Sequence, residues 1–146
     1  MGTVWPFGVD TGAKASSGRV LVVDDEEHIR KVVTLILTKA GYDVVEAEDG
    51  EKAIAALNAG DNPLMVDVVL CDIRMPKING VEAIRYFRDQ YPSVPVIVLT
   101  GYPDTQDATT LFRQGVMEYL VKPVDRERLL ASVASAMEQR NIKFYP

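Results

Sequence analysis

Between Arg19 and Gln139, short apolar runs alternate regularly with segments of helical periodicity, and this alternation is the strongest constraint on the fold. The apolar runs predict strands over 20–23, 42–47, 66–71, 94–99 and 117–121. The intervening segments predict helices over 27–40, 49–58, 80–90, 104–114 and 125–139. Such alternation is typical of a parallel sheet that is covered by helices on both faces.

The placement of charged residues among the runs indicates the order of the strands. The first, third and fourth runs are almost wholly apolar, as central strands buried on both faces should be. The second run contains Asp43 and Glu46, and the fifth contains Glu118, which suits edge strands. The sequence therefore predicts an α/β fold with a doubly wound, five-stranded parallel sheet, and the two charged edge runs suit the strand order 2-1-3-4-5 that is known from flavodoxin-like proteins.

Finer expectations concern the first helix, one loop and the ends of the chain. The first helix should bury one apolar face, formed by Ile29, Val32, Val33, Ile36, Leu37 and Ala40. Residues 59–65 should form a long exposed loop before the third strand. Residues 1–18 show no periodicity and are expected to be a flexible leader, residues 19–140 the domain, and residues 141–146 a tail or the start of a linker.

Length and composition exclude several classes of function. A chain of 146 residues suits one domain, and a net charge of −5 gives no electrostatic footprint for nucleic acid. No apolar run approaches the roughly 18 residues of a membrane span. The single cysteine, Cys71, excludes an internal disulfide, and the single histidine, His28, makes a histidine-rich metal site hard to build.

Reactive polar residues follow four of the five predicted strands. The first strand is followed by Asp24 and Asp25, the third by Asp72, the fourth by Thr100 and the fifth by Lys122. Each could singly be a turn or capping residue, but the carboxyl ends of parallel strands meet at one edge of the sheet, where ligands bind. Their convergence therefore predicts a functional site.

The residue types at this edge favour phosphoryl chemistry. Carboxylates crowded together repel one another, and an oxygen-only site with few protein ligands suits Mg²⁺. A carboxylate beside Mg²⁺ and a lysine can act as the nucleophile toward a phosphoryl group, while a threonine hydroxyl binds one of its oxygens. The product would be an aspartyl phosphate, which requires neither histidine nor cysteine in this chain.

Four segments at these strand ends resemble the motifs of response-regulator receiver domains, the phosphoacceptor domains of two-component signalling. The matching segments are Val22–Glu26, Cys71–Pro76, Leu99–Gly101 and Tyr119–Pro123. The resemblance extends over about 19–139 and implies a signalling switch rather than an enzyme. It also implies a cytoplasmic location and a phosphoryl donor that is a histidine kinase or a phosphotransfer protein.

The resemblance implies a role for each residue of the site. Asp72 would be the phosphoacceptor and would bind Mg²⁺ together with Asp25 and the backbone carbonyl of Arg74, whereas Asp24 would act mainly through water. Lys122 would hold phosphoryl oxygens and would precede a cis peptide bond to Pro123.

The resemblance also implies how the phosphoryl group is read and retained. Thr100 would hold a phosphoryl oxygen with Lys122, and Tyr119 would be the switch aromatic that turns inward when Thr100 moves. Arg74 and Tyr102 stand at positions that tune the lifetime of the phosphoryl group in this family. A homodimer through the fourth predicted helix, the fifth strand and the last helix is a further expectation.

Two rival functions remain open from the sequence alone. An aspartate-nucleophile phosphatase would carry a second acid two residues after the nucleophile, where this chain has Arg74. A pseudo-receiver would never take phosphate, although here the acidic residues, the threonine and the lysine are all present. Whether an effector domain lies downstream, and which kinase is cognate, cannot be read from these residues.

Overall fold

The computed structural model describes residues 16–74 and 80–144, which form alternating strands and helices. The strands are β1 (Arg19–Val23), β2 (Asp43–Ala47), β3 (Val66–Cys71), β4 (Val96–Thr100) and β5 (Glu118–Val121). The helices are α1 (Glu27–Lys39), α2 (Gly50–Leu57), α3 (Asn62–Met65), α4 (Gly80–Gln90), α5 (Thr105–Arg113) and α6 (Arg126–Phe144). The fourth predicted helix is therefore α5, and the last is α6.

The five strands form one parallel sheet of order β2-β1-β3-β4-β5, which confirms the predicted topology. The apolar runs β1, β3 and β4 are the three inner strands, and the runs with charged residues are the two edges. Charge is tolerated at the edges because one side of an edge strand can reach water.

Two apolar layers cover the sheet, one on each face. On one face, residues of α1 and α6 such as Leu37 and Val133 pack against β1, β3 and β4. On the other face, residues of α2, α4 and α5 such as Leu57, Phe87 and Leu111 pack against the same strands. Because helices cover both faces of the sheet, the residues that follow its strands lie at an edge that these helices leave uncovered.

The first helix buries a narrower apolar face than its pattern predicts. Val33 and Leu37 are buried, but Val32 is 43% exposed and Ala40 is also exposed, so the expectation was wrong for these two residues. Arg30 is buried instead, because its guanidinium donates to the backbone carbonyl of Asp24 and to a carboxylate oxygen of Glu46. The arginine thus ties α1 to the end of β1.

Two further differences concern the segments outside the main elements. The segment expected to be an exposed loop contains the short helix α3, which begins with Pro63 among its first residues. The last helix continues to Phe144, past the expected end at Gln139. Residues 1–15, most of the expected leader, lie outside the described residues, as do 75–79 and 145–146. Among the described helices, none combines the length and apolar character needed to cross a bilayer.

Candidate functional site

The sheet's hydrogen-bond pattern continues past the strands and fixes the residues that follow them. The backbone N–H of Asp24 donates to the carbonyl of Ala47 at 3.1 Å, and that of Asp72 donates to the carbonyl of Val23 at 2.9 Å. The N–H of Lys122 donates to the carbonyl of Thr100 at 2.8 Å. Side chains from distant parts of the sequence are therefore held at one edge of the sheet, as predicted.

A lysine joins two buried carboxylates at this edge. The Lys122 Nζ atom lies 2.6 Å from Oδ2 of Asp24 and 2.9 Å from Oδ2 of Asp72. The side chains of both aspartates are only 4% exposed and that of the lysine is 10% exposed. A weaker contact of 3.5 Å connects the ammonium group to Glu26. The single cation thus offsets the repulsion between carboxylates from β1 and β3.

Burial and charge pull the pKa values of this site in opposite directions. Burial raises the pKa of Asp24, although hydrogen bonds from Lys122 and from the backbone N–H of Glu26 partly oppose it. Burial alone would lower the pKa of Lys122, but its hydrogen bonds and charge attraction to Asp24 and Asp72 outweigh that effect and raise it. The lysine is therefore firmly cationic at neutral pH.

Four acidic residues form a cluster that could hold a metal ion. One carboxylate oxygen from each of Asp24, Asp25, Glu26 and Asp72 lies within 4.8 Å of the others. Asp24 and Asp72 are buried, whereas Asp25 and Glu26 are exposed and reach the cluster from the solvent side. An all-oxygen set with open positions fits Mg²⁺, which keeps several waters. Glu26 was given no role from the sequence, although it directly follows the two aspartates.

The hydroxyls of the expected switch residues have separate partners. Thr100 is fully buried, and its Oγ1 accepts a hydrogen bond from the backbone N–H of Tyr102 at 3.1 Å. The Tyr119 hydroxyl accepts from the backbone N–H of Asp104 at 3.2 Å, and its ring lies 6.5 Å from that of Phe112. Both residues therefore contact the segment between β4 and α5.

The two residues expected to tune lifetime differ in their surroundings. Arg74 donates its backbone N–H to Oδ1 of Asp72 at 3.0 Å, and its guanidinium pairs with Asp107 of α5 at 3.2 Å. Tyr102 is 68% exposed. No sequence pattern indicates the pairing of Arg74 with Asp107, because 33 residues separate them. The expected peptide geometry is confirmed, since the bond from Lys122 to Pro123 is cis.

An apolar groove opens beside the site, between α1 and the start of α6. Its volume is about 530 Å³, and its apolar lining includes Ile29, Val32, Ile36 and Val124. Lys122, which contacts the acidic cluster, also lines it. The groove could not be predicted from the sequence, because the apolar pattern of α1 predicts a face that packs against the sheet.

Comparison with known proteins places this geometry in a family. The family model described as "Response regulator receiver domain" matches residues 20–134. The chain is 37% identical over 120 residues to the transcriptional regulatory protein GlrR of Escherichia coli K12. This match covers 82% of this chain and 26% of GlrR. It is 38% identical over 120 residues to the DNA-binding transcriptional regulator NtrC of Salmonella typhimurium, over 82% of this chain and 25% of NtrC.

Solved structures agree with the sequence relatives. A response regulator receiver domain protein from Clostridium thermocellum superposes with a TM-score of 0.80 at 30% identity, covering 86% of this chain and 98% of that one. A CheY-like receiver domain protein from Methanospirillum hungatei gives 0.81 at 25% identity, covering 88% and 99%. The chain spans about a quarter of the length of GlrR and NtrC. The family model and these relatives show that the chain belongs to the response-regulator receiver domain family.

Proposed function

We propose that this chain is a phosphorylation-activated switch that accepts a phosphoryl group on Asp72. A carboxylate oxygen of Asp72 attacks the phosphorus of a phosphohistidine in a partner protein. A new oxygen–phosphorus bond forms as the phosphorus–nitrogen bond breaks, and the histidine ring leaves with the bonding electron pair. The observation that carries the proposal is the Lys122 ammonium, held 2.9 Å from the Asp72 carboxylate and ready to contact the transferring oxygens.

The neighbouring residues divide the work of stabilising the transfer. Asp25, Asp72 and the carbonyl of Arg74 would hold Mg²⁺, with Asp24 acting mainly through water. Bound there, the cation would supply positive charge against the phosphoryl oxygens. Lys122 would balance a second oxygen, because it remains charged at neutral pH. Thr100 would donate its hydroxyl to a third oxygen.

Retention of phosphate on the protein, rather than turnover, distinguishes this function from a phosphatase. Incubation with acetyl phosphate and Mg²⁺ should add one phosphoryl group that hydroxylamine removes, as it does with acyl phosphates. Asp72→Asn should abolish the incorporation, whereas Asp43→Asn, at an exposed position of the edge strand β2, should retain it. Wild-type labelling of the Asp72 variant, or multiple turnover of small phosphate esters, would contradict the proposal. Chelation with EDTA should stop the reaction.

The groove between α1 and α6 supports docking of the phosphoryl donor, a histidine kinase or a phosphotransfer protein. Lys122 lines this groove and contacts Asp72, so a protein that docks there would lie beside the acceptor site. Val32→Glu should slow transfer from a phosphorylated histidine protein at least tenfold and leave labelling by acetyl phosphate unchanged. The control is Leu35→Glu, which puts the same charge at a 54% exposed position of α1 outside the groove. Equal slowing by both variants would argue against groove docking.

The output is proposed to lie in a partner or in a downstream domain, in a cytoplasmic pathway. The relatives GlrR and NtrC are transcriptional regulators several times longer than the match, which supports an appended effector. Homodimerisation through α5, β5 and α6 is supported by the exposed side chains of Phe112 and Val121, which are 50% and 47% exposed. Sedimentation of the phosphorylated and unphosphorylated protein would test it, and unchanged monomers in both states would refute it.

A further inference from the structure

The residue that follows the acceptor by two positions connects the site to α5. The Arg74 backbone N–H donates to Oδ1 of Asp72, and its guanidinium reaches Asp107 in the first turn of α5 at 3.2 Å. Both side chains of the ion pair remain partly exposed, at 49% for the arginine and 32% for the aspartate. An ion pair of this exposure is weak, so a stronger anion close by can displace the aspartate.

Phosphorylation of Asp72 would create such an anion next to the arginine. A phosphoryl group brings close to two negative charges and three strong acceptor oxygens, and a guanidinium binds it with charge-assisted hydrogen bonds. Asp107 offers a single charge in a partly hydrated position. The backbone of Arg74 is hydrogen-bonded to Asp72, the residue that would carry the phosphoryl group. The phosphoryl group and the Asp107 carboxylate would therefore compete for the same guanidinium.

We propose that Asp107 is a positioning residue for Arg74 that sets the lifetime of the aspartyl phosphate by competing with the phosphoryl group for its guanidinium. Hydrolysis requires water to attack phosphorus while the bond to the Asp72 oxygen breaks, which releases inorganic phosphate and restores the carboxylate. A guanidinium on the phosphoryl oxygens stabilises the phosphorylated state and screens the attacking water. Asp107 shortens the lifetime because it holds the guanidinium elsewhere for part of the time.

This role of Asp107 rests on the proposed phosphorylation of Asp72. Substitutions of Asp107 should change the lifetime of the aspartyl phosphate in a defined direction, and only when Arg74 is present. Asp107→Asn keeps the shape of the side chain and should lengthen the lifetime by about two- to fivefold, which is the strength of a surface ion pair expressed as a rate ratio. Arg74→Ala should shorten it. The double variant should match Arg74→Ala, because Asp107 acts only through the arginine. Asp107→Glu keeps the negative charge and should leave the lifetime of the aspartyl phosphate near that of the wild type.

The experiment follows loss of phosphate from protein labelled with acetyl phosphate and freed of donor. Glu51→Gln is the matched control, since it removes a first-turn carboxylate from α2 without affecting Arg74, and its lifetime should equal that of the wild type. Equal lifetimes for the wild type and Asp107→Asn, or a change that persists in the Arg74→Ala background, would overturn the inference and leave the proposed function intact. Failure of every variant to take up phosphate would overturn both.

Discussion

Replacing the lysine that joins the two buried carboxylates should cost the fold a large part of its stability. Lys122→Met keeps the length of the side chain and removes the charge that lies 2.6 Å from Asp24 and 2.9 Å from Asp72. The two aspartates then face each other across the end of the sheet, both with side chains only 4% exposed. Their mutual repulsion is no longer balanced within the folded protein.

The size of the effect follows from the distances and the burial. At an effective dielectric constant of about 20, each lysine–carboxylate attraction is about 6 kcal/mol before the cost of desolvation. Desolvation cancels most of this gain, and removing one partner of a buried pair typically costs about 3–5 kcal/mol. We expect a loss of about 3 kcal/mol in the free energy of unfolding at neutral pH, at the lower end of this range because the Lys122 side chain is 10% exposed and water can reach the site.

The loss should depend on pH in a defined direction. Burial already raises the pKa of Asp24 above its ordinary value of 3.8, and loss of the lysine raises it further. A carboxyl group whose pKa is raised in the folded state binds protons before the unfolded chain does, so acidification stabilises the fold relative to neutral pH. The deficit of the variant should therefore shrink as pH falls from the raised pKa toward 3.8.

Urea unfolding at several pH values, with and without Mg²⁺, provides the assay. Added Mg²⁺ should recover part of the stability of Lys122→Met, because binding to the folded state alone stabilises it. The control is Lys52→Met, which removes an exposed lysine paired with Glu48 on the surface and should change stability by less than about 1 kcal/mol. A loss below 1 kcal/mol for Lys122→Met, or a loss independent of pH, would refute the electrostatic reasoning.

Three further predictions concern the metal, the first residue of α4 and the switch. Calorimetry should show that Asp25→Ala weakens Mg²⁺ binding more than Asp24→Ala does. Equal losses of affinity would contradict the proposal that Asp25 binds the ion directly and Asp24 binds it through water. Gly80→Ala should lower the free energy of unfolding by more than about 2 kcal/mol, because its Cβ would lie 2.4 Å from the backbone carbonyl of the acceptor, whereas Gly101→Ala meets nothing closer than 3.8 Å and should cost much less. Thr100→Ala should still take up phosphate but lose the phosphorylation-dependent change in hydrogen exchange at the start of α5, and an undiminished change would refute its coupling role.

The sequence was sufficient to predict the class of fold, the edge strands and the meeting of three polar side chains at one edge of the sheet. Hydrophobic runs without charge are needed only in strands covered on both faces, so the charges in the second and fifth runs were enough to place those strands at the edges. Because the strands are parallel, the polar residues at the carboxyl ends of β1, β3, β4 and β5 had to lie at the same edge of the sheet. The confirmed proximity of Asp24, Asp72 and Lys122 follows from backbone geometry that every parallel sheet shares.

The sequence could not show which side chains near that edge are buried and which partners they bind. Arg30 is buried because its guanidinium donates to the carbonyl of Asp24 and to the carboxylate of Glu46, and no periodicity encodes such partners. The Arg74–Asp107 pair likewise depends on the angle at which α5 leaves the sheet. Local pattern determines which elements form and where their ends meet, because both depend on burial and backbone pairing. Individual long-range contacts were decided only by tertiary packing, because a polar side chain pairs with whatever group the fold places within its reach.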